Sequence, residues 1–263
     1  MAFNSLGNSG IGPEPSRAAR LPPGEAREGI PWAFRYSRCG AMWAKLRAPT
    51  LRPRLALKGM ESPMGFYENR ILPYMIDKAC AGPPVLKQRE KVVPHAEGRV
   101  LEVGMGSGIN LPFYDPARIE FVWGLEPSEG MRRLAQERID AAPFEVKLLD
   151  LPGESIPLDD HSVDTVLLTF TLCTIPDFRA ALAQMRRVLK PSGKLLFCEH
   201  GEAPDEPIRK WQNRINPIWK KIAGGCNLNR PIPRCLEEAG FEVQSQETHY
   251  LPTPPRIAAV SYT

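Results

Sequence analysis

The stretch Val100-Leu-Glu-Val-Gly-Met-Gly-Ser-Gly-Ile-Asn110 decides how this chain is read. A short apolar run carrying one acid, Glu102, gives way to glycines at every second position: Gly104, Gly106 and Gly108. Continuous apolar runs are the mark of buried parallel strands. Glycine permits tight turns and a close approach of ligand to backbone. The pattern predicts a central strand, a tight turn, and a helix start where a ligand lies against bare backbone. A second apolar run, Phe121-Val-Trp-Gly-Leu125, ends at Glu126, eighteen residues after Gly108. An acid at the tip of the second strand is placed to accept both hydroxyls of a ribose. Strand, loop and acid together predict a site for a nucleoside cofactor.

Spacing narrows the choice. A dinucleotide fingerprint, G-x-G-x-x-G, needs a third glycine that lets the helix pack on the strand. That place holds Ile109 or Leu111, depending on which glycine pair starts the count. No Lys-Ser or Lys-Thr follows, so the loop is not a phosphate-cradling P-loop. The series Glu102-x-Gly104-x-Gly106-x-Gly108 resembles motif I of the class I S-adenosylmethionine (SAM) dependent methyltransferases. The resemblance implies that the loop wraps the methionine part of SAM, and that Glu126, followed by Pro127, holds the ribose. It also implies a Rossmann-like α/β fold, a doubly wound seven-stranded sheet whose last strand pair is antiparallel.

Further matches carry the resemblance from about Arg99 to Leu196. Gly153-Glu154-Ser-Ile-Pro157-Leu-Asp-Asp-x-Ser162-Val-Asp164 is similar to the adenine-side loop of the ubiquinone-type group, and Thr169 ends the fourth strand. Pro176-Asp177 and Leu189-Lys-Pro-Ser-Gly193 match the stretches that flank the next helix. In many relatives an Asp or Asn bonds the adenine amino group, but Pro152 stands at that place here. Proline offers neither a side-chain acceptor nor an amide hydrogen. The adenine contacts then fall to the Gly153 backbone and to Asp150, unless Asp150 and Glu154 are simply a solvated turn.

Alternating patterns fill in the rest. Helices are predicted over 66–80, with Pro73 as a kink, and over 86–93. Strands follow at 99–103, 119–126, 144–150, 162–169 and 194–200. Helices at 128–139, with Ser128 as N-cap, and at 177–189 separate them. A helical insert, about 207–223, and a helix at 231–239 precede two strands, 241–250 and 256–263. Ligands of such sheets bind at the carboxyl ends of the strands.

Charge is uneven. Residues 1–60 carry ten Lys or Arg against three acids, whereas the remainder carries 24 against 27. The body is therefore mildly acidic, which argues against a nucleic-acid-binding face. The first sixty residues, rich in Pro and Arg, read as a disordered basic leader or as residues ahead of a true start at Met60 or Met64. Residues 61–263 form the predicted methyltransferase domain, with about 201–235 as its acceptor-side insert. No run of eighteen apolar residues occurs, so no spanning helix is predicted. Six cysteines form no C-x-x-C and no zinc spacing, which predicts reduced thiols, a cytoplasmic protein and no metal.

The acceptor side begins at Glu199-His200, followed by Trp211-Gln-Asn-x-x-x-Pro217-x-Trp219-Lys220, Gly225-Cys226 and Leu228-x-Arg230. With Thr171-Leu-Cys173, these are similar to the same region in the membrane-associated alkyl-thiol methyltransferases and their bacterial relatives. The resemblance implies a small, apolar methyl acceptor, with a thiol as the first candidate and peripheral membrane contact as a corollary. His200 is the candidate base or acceptor-orienting group, Glu199 is expected to orient it, and Trp211 and Trp219 are candidates for the pocket wall. Each has a plainer alternative, namely pocket-edge hydrogen bonding for the first two and ordinary packing for the tryptophans. A lipid or quinone methyltransferase, a non-catalytic SAM-binding module and, disfavoured by the missing glycine, a nicotinamide oxidoreductase remain as other readings.

Overall fold

The computed structural model describes residues 67–251 and 260–262; the leader and the proposed starts at Met60 and Met64 lie outside the described residues. A five-residue π-helical turn, Tyr67–Ile71, leads into α1, Leu72–Cys80. The expected kink is thus a fresh helix start, because Pro73 sits in the first turn, where its missing N–H has no intrahelical partner to lose. Helix α2, Pro83–Val92, begins on a proline pair for the same reason.

Five parallel strands follow: β1 (Gly98–Val103), β2 (Ile119–Leu125), β3 (Glu145–Leu149), β4 (Val163–Thr169) and β5 (Leu189–His200). Their order is β3-β2-β1-β4-β5. The chain builds outward from β1 through β2 to β3, then crosses back to place β4 on the other side of β1. This reversal makes the carboxyl ends of β1 and β4 the point where a crevice opens. Helix α3 (Glu129–Asp140) links β2 to β3, and its predicted cap is present: Ser128 Oγ accepts the Met131 N–H at 3.3 Å. Helix α4 (Phe178–Val188) is capped by Asp177, which accepts the Ala180 N–H at 3.0 Å. It buries Ala181, Leu182, Met185 and Val188 along one stripe.

Alternation along the strands divides the core into two layers. Leu101, Val103, Val166 and Leu168 point to the face covered by α4, whereas Val100, Val122, Leu167 and Cys198 point to the other face. Glu102 shares the second face with Val100. That placement decides what Glu102 can reach.

Helix α5 (Glu206–Ile222) and helix α6 (Ile232–Glu238) follow β5. Two three-residue strands, β6 (Thr248–Tyr250) and β7 (Val260–Tyr262), extend the β5 edge, with β7 antiparallel to both β5 and β6. Two expectations change. The Lys190-Pro-Ser-Gly193 turn is instead extended backbone that lengthens β5, with the irregularity taken up in its pairing to β4. The strand expected over 241–250 shrinks to its last three residues, because 241–247 make no strand pairing. Among the described residues no helix is long and apolar enough to cross a membrane.

Candidate functional site

The three glycines of the loop all adopt left-handed backbone, with φ of 69° at Gly104, 61° at Gly106 and 76° at Gly108. Other residues pay to enter this region. They differ in what surrounds them. A Cβ on Gly104 would run into the Thr171 side chain, and one on Gly108 would meet Leu111 at 3.2 Å. A Cβ on Gly106 would meet nothing within 4 Å. Gly106 is the glycine whose bare backbone faces open space, into a cavity of about 340 Å³.

Glu126 closes one side of that cavity. It is 8% exposed, with one carboxylate oxygen accepting the Gly106 N–H at 2.9 Å and the other the Ser128 N–H at 2.8 Å. Burial pushes its pKa up, and the two N–H bonds oppose that shift. A carboxylate has about four lone-pair sites, so two hydroxyls of a ribose can still be accepted. Pro127, Ser128 and Met131 continue the wall.

Glu102 does not line the cavity. It is fully buried under the loop, where it accepts the Asn110 side-chain N–H at 2.8 Å and the Tyr114 hydroxyl at 2.7 Å. Burial pushes its pKa up, and these two donors partly counter it. Asn110 Nδ2 also lies 2.8 Å from Thr169 Oγ1. The Arg89 guanidinium, 5% exposed, donates to Asn110 Oδ1 at 2.7 Å and to Thr169 Oγ1 at 2.6 Å. Glu102 therefore supports the loop from beneath, while Thr169 and Arg89 reach the cavity wall. Sequence reasoning missed Arg89 and Asn110. Asn110 ends the glycine-rich stretch itself, whereas nothing local to the helix that carries Arg89 distinguishes a buried arginine from a surface one.

A second element the sequence did not implicate is α1. Leu72, Pro73, Ile76 and Asp77 line the cavity opposite the sheet. Asp77 fastens the helix to the loop by accepting the Ser107 hydroxyl and an Arg138 N–H at 3.0 Å, and Arg138 also donates to Ser107 O at 2.7 Å.

The expected adenine-side residues stand apart from this cavity. Gly153 is buried, and a Cβ on it would meet Ile175 and Val103, each at 3.3 Å. Glu154 accepts the Asp177 N–H at 3.2 Å, and Asp150 makes a two-point ion pair with Arg132. Gly108 likewise shapes the turn without lining the cavity.

On the acceptor side the expected pairing of Glu199 with His200 gives way to another arrangement. Glu199 is fully buried and accepts the Thr171 and Leu172 N–H groups at 2.7 and 2.9 Å, so it holds the loop after β4 and makes no hydrogen bond to the imidazole. Burial pushes its pKa up, against those two N–H bonds. His200 Nε2 lies 3.1 Å from Cys226 Sγ, and its ring stacks on Phe170 with centroids 6.5 Å apart. Burial pushes the imidazole pKa down, but the contact with Cys226 and the charge of Glu199 outweigh it, so the net shift is upward. Trp219 donates its indole N–H to Cys226 Sγ at 3.2 Å. Trp211 does not wall the pocket. It is 56% exposed, with the Arg214 guanidinium 5.8 Å from its ring centroid.

One group of potential metal ligands comes together among the described residues. Cys173, His200 and Cys226 are too far apart in sequence to show a spacing, yet their ligand atoms lie within 4.8 Å of one another. The cluster sits behind the cavity wall. Phe170 and Thr174 line the cavity; Phe170 stacks on His200, and Thr174 Oγ1 is 3.4 Å from Cys173 Sγ.

Comparison with known proteins agrees with this geometry. A family model described as a methyltransferase domain matches residues 101–197. The chain is 35% identical over 173 residues to the thiol S-methyltransferase TMT1B of Homo sapiens, covering 62% of this chain and 70% of the relative. It is 29% identical over 196 residues to the ubiquinone/menaquinone biosynthesis C-methyltransferase UbiE of Geobacter sulfurreducens, covering 71% of this chain and 73% of the relative. Among solved structures, a SAM-dependent methyltransferase from Aquifex aeolicus superposes with a TM-score of 0.51 at 21% identity, over 72% of this chain and 95% of that one. That likeness carries the fold. Taken with the left-handed glycine loop and the acid at the tip of β2, these relationships place the chain in the class I SAM-dependent methyltransferases.

Proposed function

We propose that the enzyme transfers the methyl group of SAM to the sulfur of a small apolar thiol. One observation carries the reading: a single, largely apolar cavity runs from Gly106 and Glu126 to Phe170 and Thr174, behind which stand His200 and two cysteine thiols. The likeness to a thiol S-methyltransferase supports the same acceptor.

The residues fit SAM. Gly106 leaves room at the loop, Glu126 offers free lone pairs to the ribose, and Met105, Ile109 and Met131 give an apolar lining. When bound, SAM supplies an electrophilic methyl group on a sulfonium whose positive charge disappears in the transfer. The protein's part in such a displacement is mostly to position the two sulfurs and exclude water. Leu72, Pro73 and Ile76 of α1 do the second by covering the cavity, tied down through Asp77. A thiol acceptor must also lose its proton, because the thiolate is the nucleophile. His200, Cys173 and Cys226 are the polar groups next to that end.

A lipid or quinone acceptor is the second reading. It is favoured by exposed apolar side chains: Tyr74 and Met75 on α1, which lines the cavity, and Ile218 and Ile222 on α5, just before the cavity-lining Gly224. Peripheral contact with a membrane surface belongs to that reading. The test is methylation of alkyl thiols, a quinol and phospholipid vesicles, each followed by mass spectrometry of the product. Turnover of thiols alone supports the first reading. Turnover confined to the quinol or lipid overturns it.

A further inference from the structure

We propose that Cys173, His200 and Cys226 form a zinc(II) site whose open coordination position receives the acceptor thiol. The three ligand atoms lie within 4.8 Å of one another, and Cys226 Sγ is 3.1 Å from His200 Nε2. Two thiols and an imidazole are a soft to borderline donor set that suits zinc rather than magnesium or calcium. Three protein ligands with a vacant fourth position is the pattern of catalytic zinc sites, including sets with two Cys and one His.

The ligands come from three different places, and each is braced. Cys173 sits in the loop after β4, whose N–H groups at Thr171 and Leu172 are held by the buried Glu199 carboxylate. Cys226 lies between α5 and α6. The next residue, Asn227, donates both its backbone N–H (3.0 Å) and its side-chain N–H (2.9 Å) to Cys173 O, which fixes one cysteine against the other. His200 ends β5 and stacks on Phe170. The indole N–H of Trp219 points at Cys226 Sγ from 3.2 Å, an outer contact of the kind that steadies a metal-bound sulfur. A bound cation would hold both cysteines as thiolates, since a coordinating thiol is deprotonated outright.

The use of the open position rests on the thiol reading above. An acceptor R–SH that binds the cation gives its proton to solvent. A sulfur lone pair then forms the new S–C bond while the sulfonium S–C bond breaks. The products are R–S–CH3 and S-adenosylhomocysteine, zinc stays divalent, and no oxidant or reductant is consumed. His200 is then a metal ligand and does not carry the proton.

The test uses the full chain, reduced and stripped with a chelator, then titrated with zinc(II) and with cobalt(II) as a coloured substitute. The expected result is one metal per chain, a thiolate-to-cobalt charge-transfer band, and loss of both in Cys173→Ser and Cys226→Ser. Loss of a ligand lowers affinity by at least about tenfold. Circular dichroism and SAM calorimetry establish that the variants are folded, and the wild-type cobalt spectrum does not depend on them. Absence of the band in wild type, or its survival in Cys226→Ser, overturns the site. The two readings separate cleanly. Stoichiometric metal without thiol turnover leaves the site standing and removes the thiol acceptor. Full thiol turnover in stripped protein that shows no cobalt band does the opposite.

Discussion

The two ends of the cavity are built in opposite ways. The cofactor end is written in one short stretch, Val100 to Asn110, plus an acid that follows within a single strand crossover. Its geometry is mostly backbone, fixed by left-handed glycines and by N–H groups that converge on Glu126. The acceptor end gathers side chains from the tip of β4, the tip of β5 and the loop between α5 and α6. A backbone site carries its own sequence signature. A side-chain site assembled across the fold leaves only short scattered elements, here Thr171-Leu-Cys173, Glu199-His200 and Gly225-Cys226, with no spacing that joins them into one cluster before topology does.

The sharpest way to break this contrast is at Glu102, which holds the cofactor loop without facing the cofactor. Glu102→Leu leaves the Tyr114 hydroxyl without its acceptor, takes one acceptor from Asn110 and removes a buried carboxylate whose electrostatics are coupled to Arg89. Breaking one partner of a buried charged network costs about 3–5 kcal/mol. Denaturant unfolding followed by fluorescence is expected to show a loss of that order, with SAM binding lost in parallel. A loss under about 1 kcal/mol would mean that the glycine loop holds its shape unaided.

Glu126 is the counterpart, an acid that faces the cavity. Glu126→Ala is expected to weaken SAM binding at least tenfold, about 1.4 kcal/mol or more, by calorimetry. The effect on stability is expected to be smaller than for Glu102→Leu, because the Gly106 and Ser128 N–H groups border the cavity and water can replace the carboxylate. Equal SAM affinity in the variant would remove the ribose role.

The same carboxylate predicts a pH dependence. Its pKa is raised, chiefly by burial, so the folded protein without SAM takes up a proton at Glu126 at a higher pH than the unfolded chain does. That group's contribution to stability therefore improves as pH falls through the folded value. Ribose hydroxyls favour the ionised acceptor, so SAM affinity runs the other way and declines over the same window, just above the ordinary carboxylate range. Calorimetry from neutral to mildly acidic pH, in wild type and Glu126→Ala, checks both signs. The decline is expected to vanish in the variant.

How far the sequence was legible follows from the same contrast. The five parallel strands and the cap at Ser128 were readable, because each depends on residues within a few positions of one another. Glu102 was placed at the cofactor because motif I includes it, and only strand alternation, which turns it under the loop, shows that it is a support. Arg89 and Asp77 were invisible as site residues, since nothing local distinguishes a buried arginine or a loop-fastening aspartate from surface charge on a helix. The zinc spacing expected of a metal site was absent for the same reason. Cys173, His200 and Cys226 are neighbours only after β4 and β5 have paired and α5 has folded back.

The smallest expected effect separates the two tryptophans, which the sequence could not tell apart. Trp211 is 56% exposed and touches Arg214, so Trp211→Ala should change stability by less than about 0.5 kcal/mol. Turnover of a water-soluble thiol should not change either. Trp219 instead spends its indole N–H on Cys226 Sγ, so Trp219→Phe, which keeps the ring and removes the donor, should weaken cobalt binding and shift the charge-transfer band. If Trp211→Ala reduces turnover only when the acceptor is presented in vesicles, the outer face of α5 meets the membrane and the lipid reading gains. If it reduces turnover of soluble thiols as well, the acceptor end extends onto the outer face of α5, and its division into a buried cluster and an exposed helix face fails.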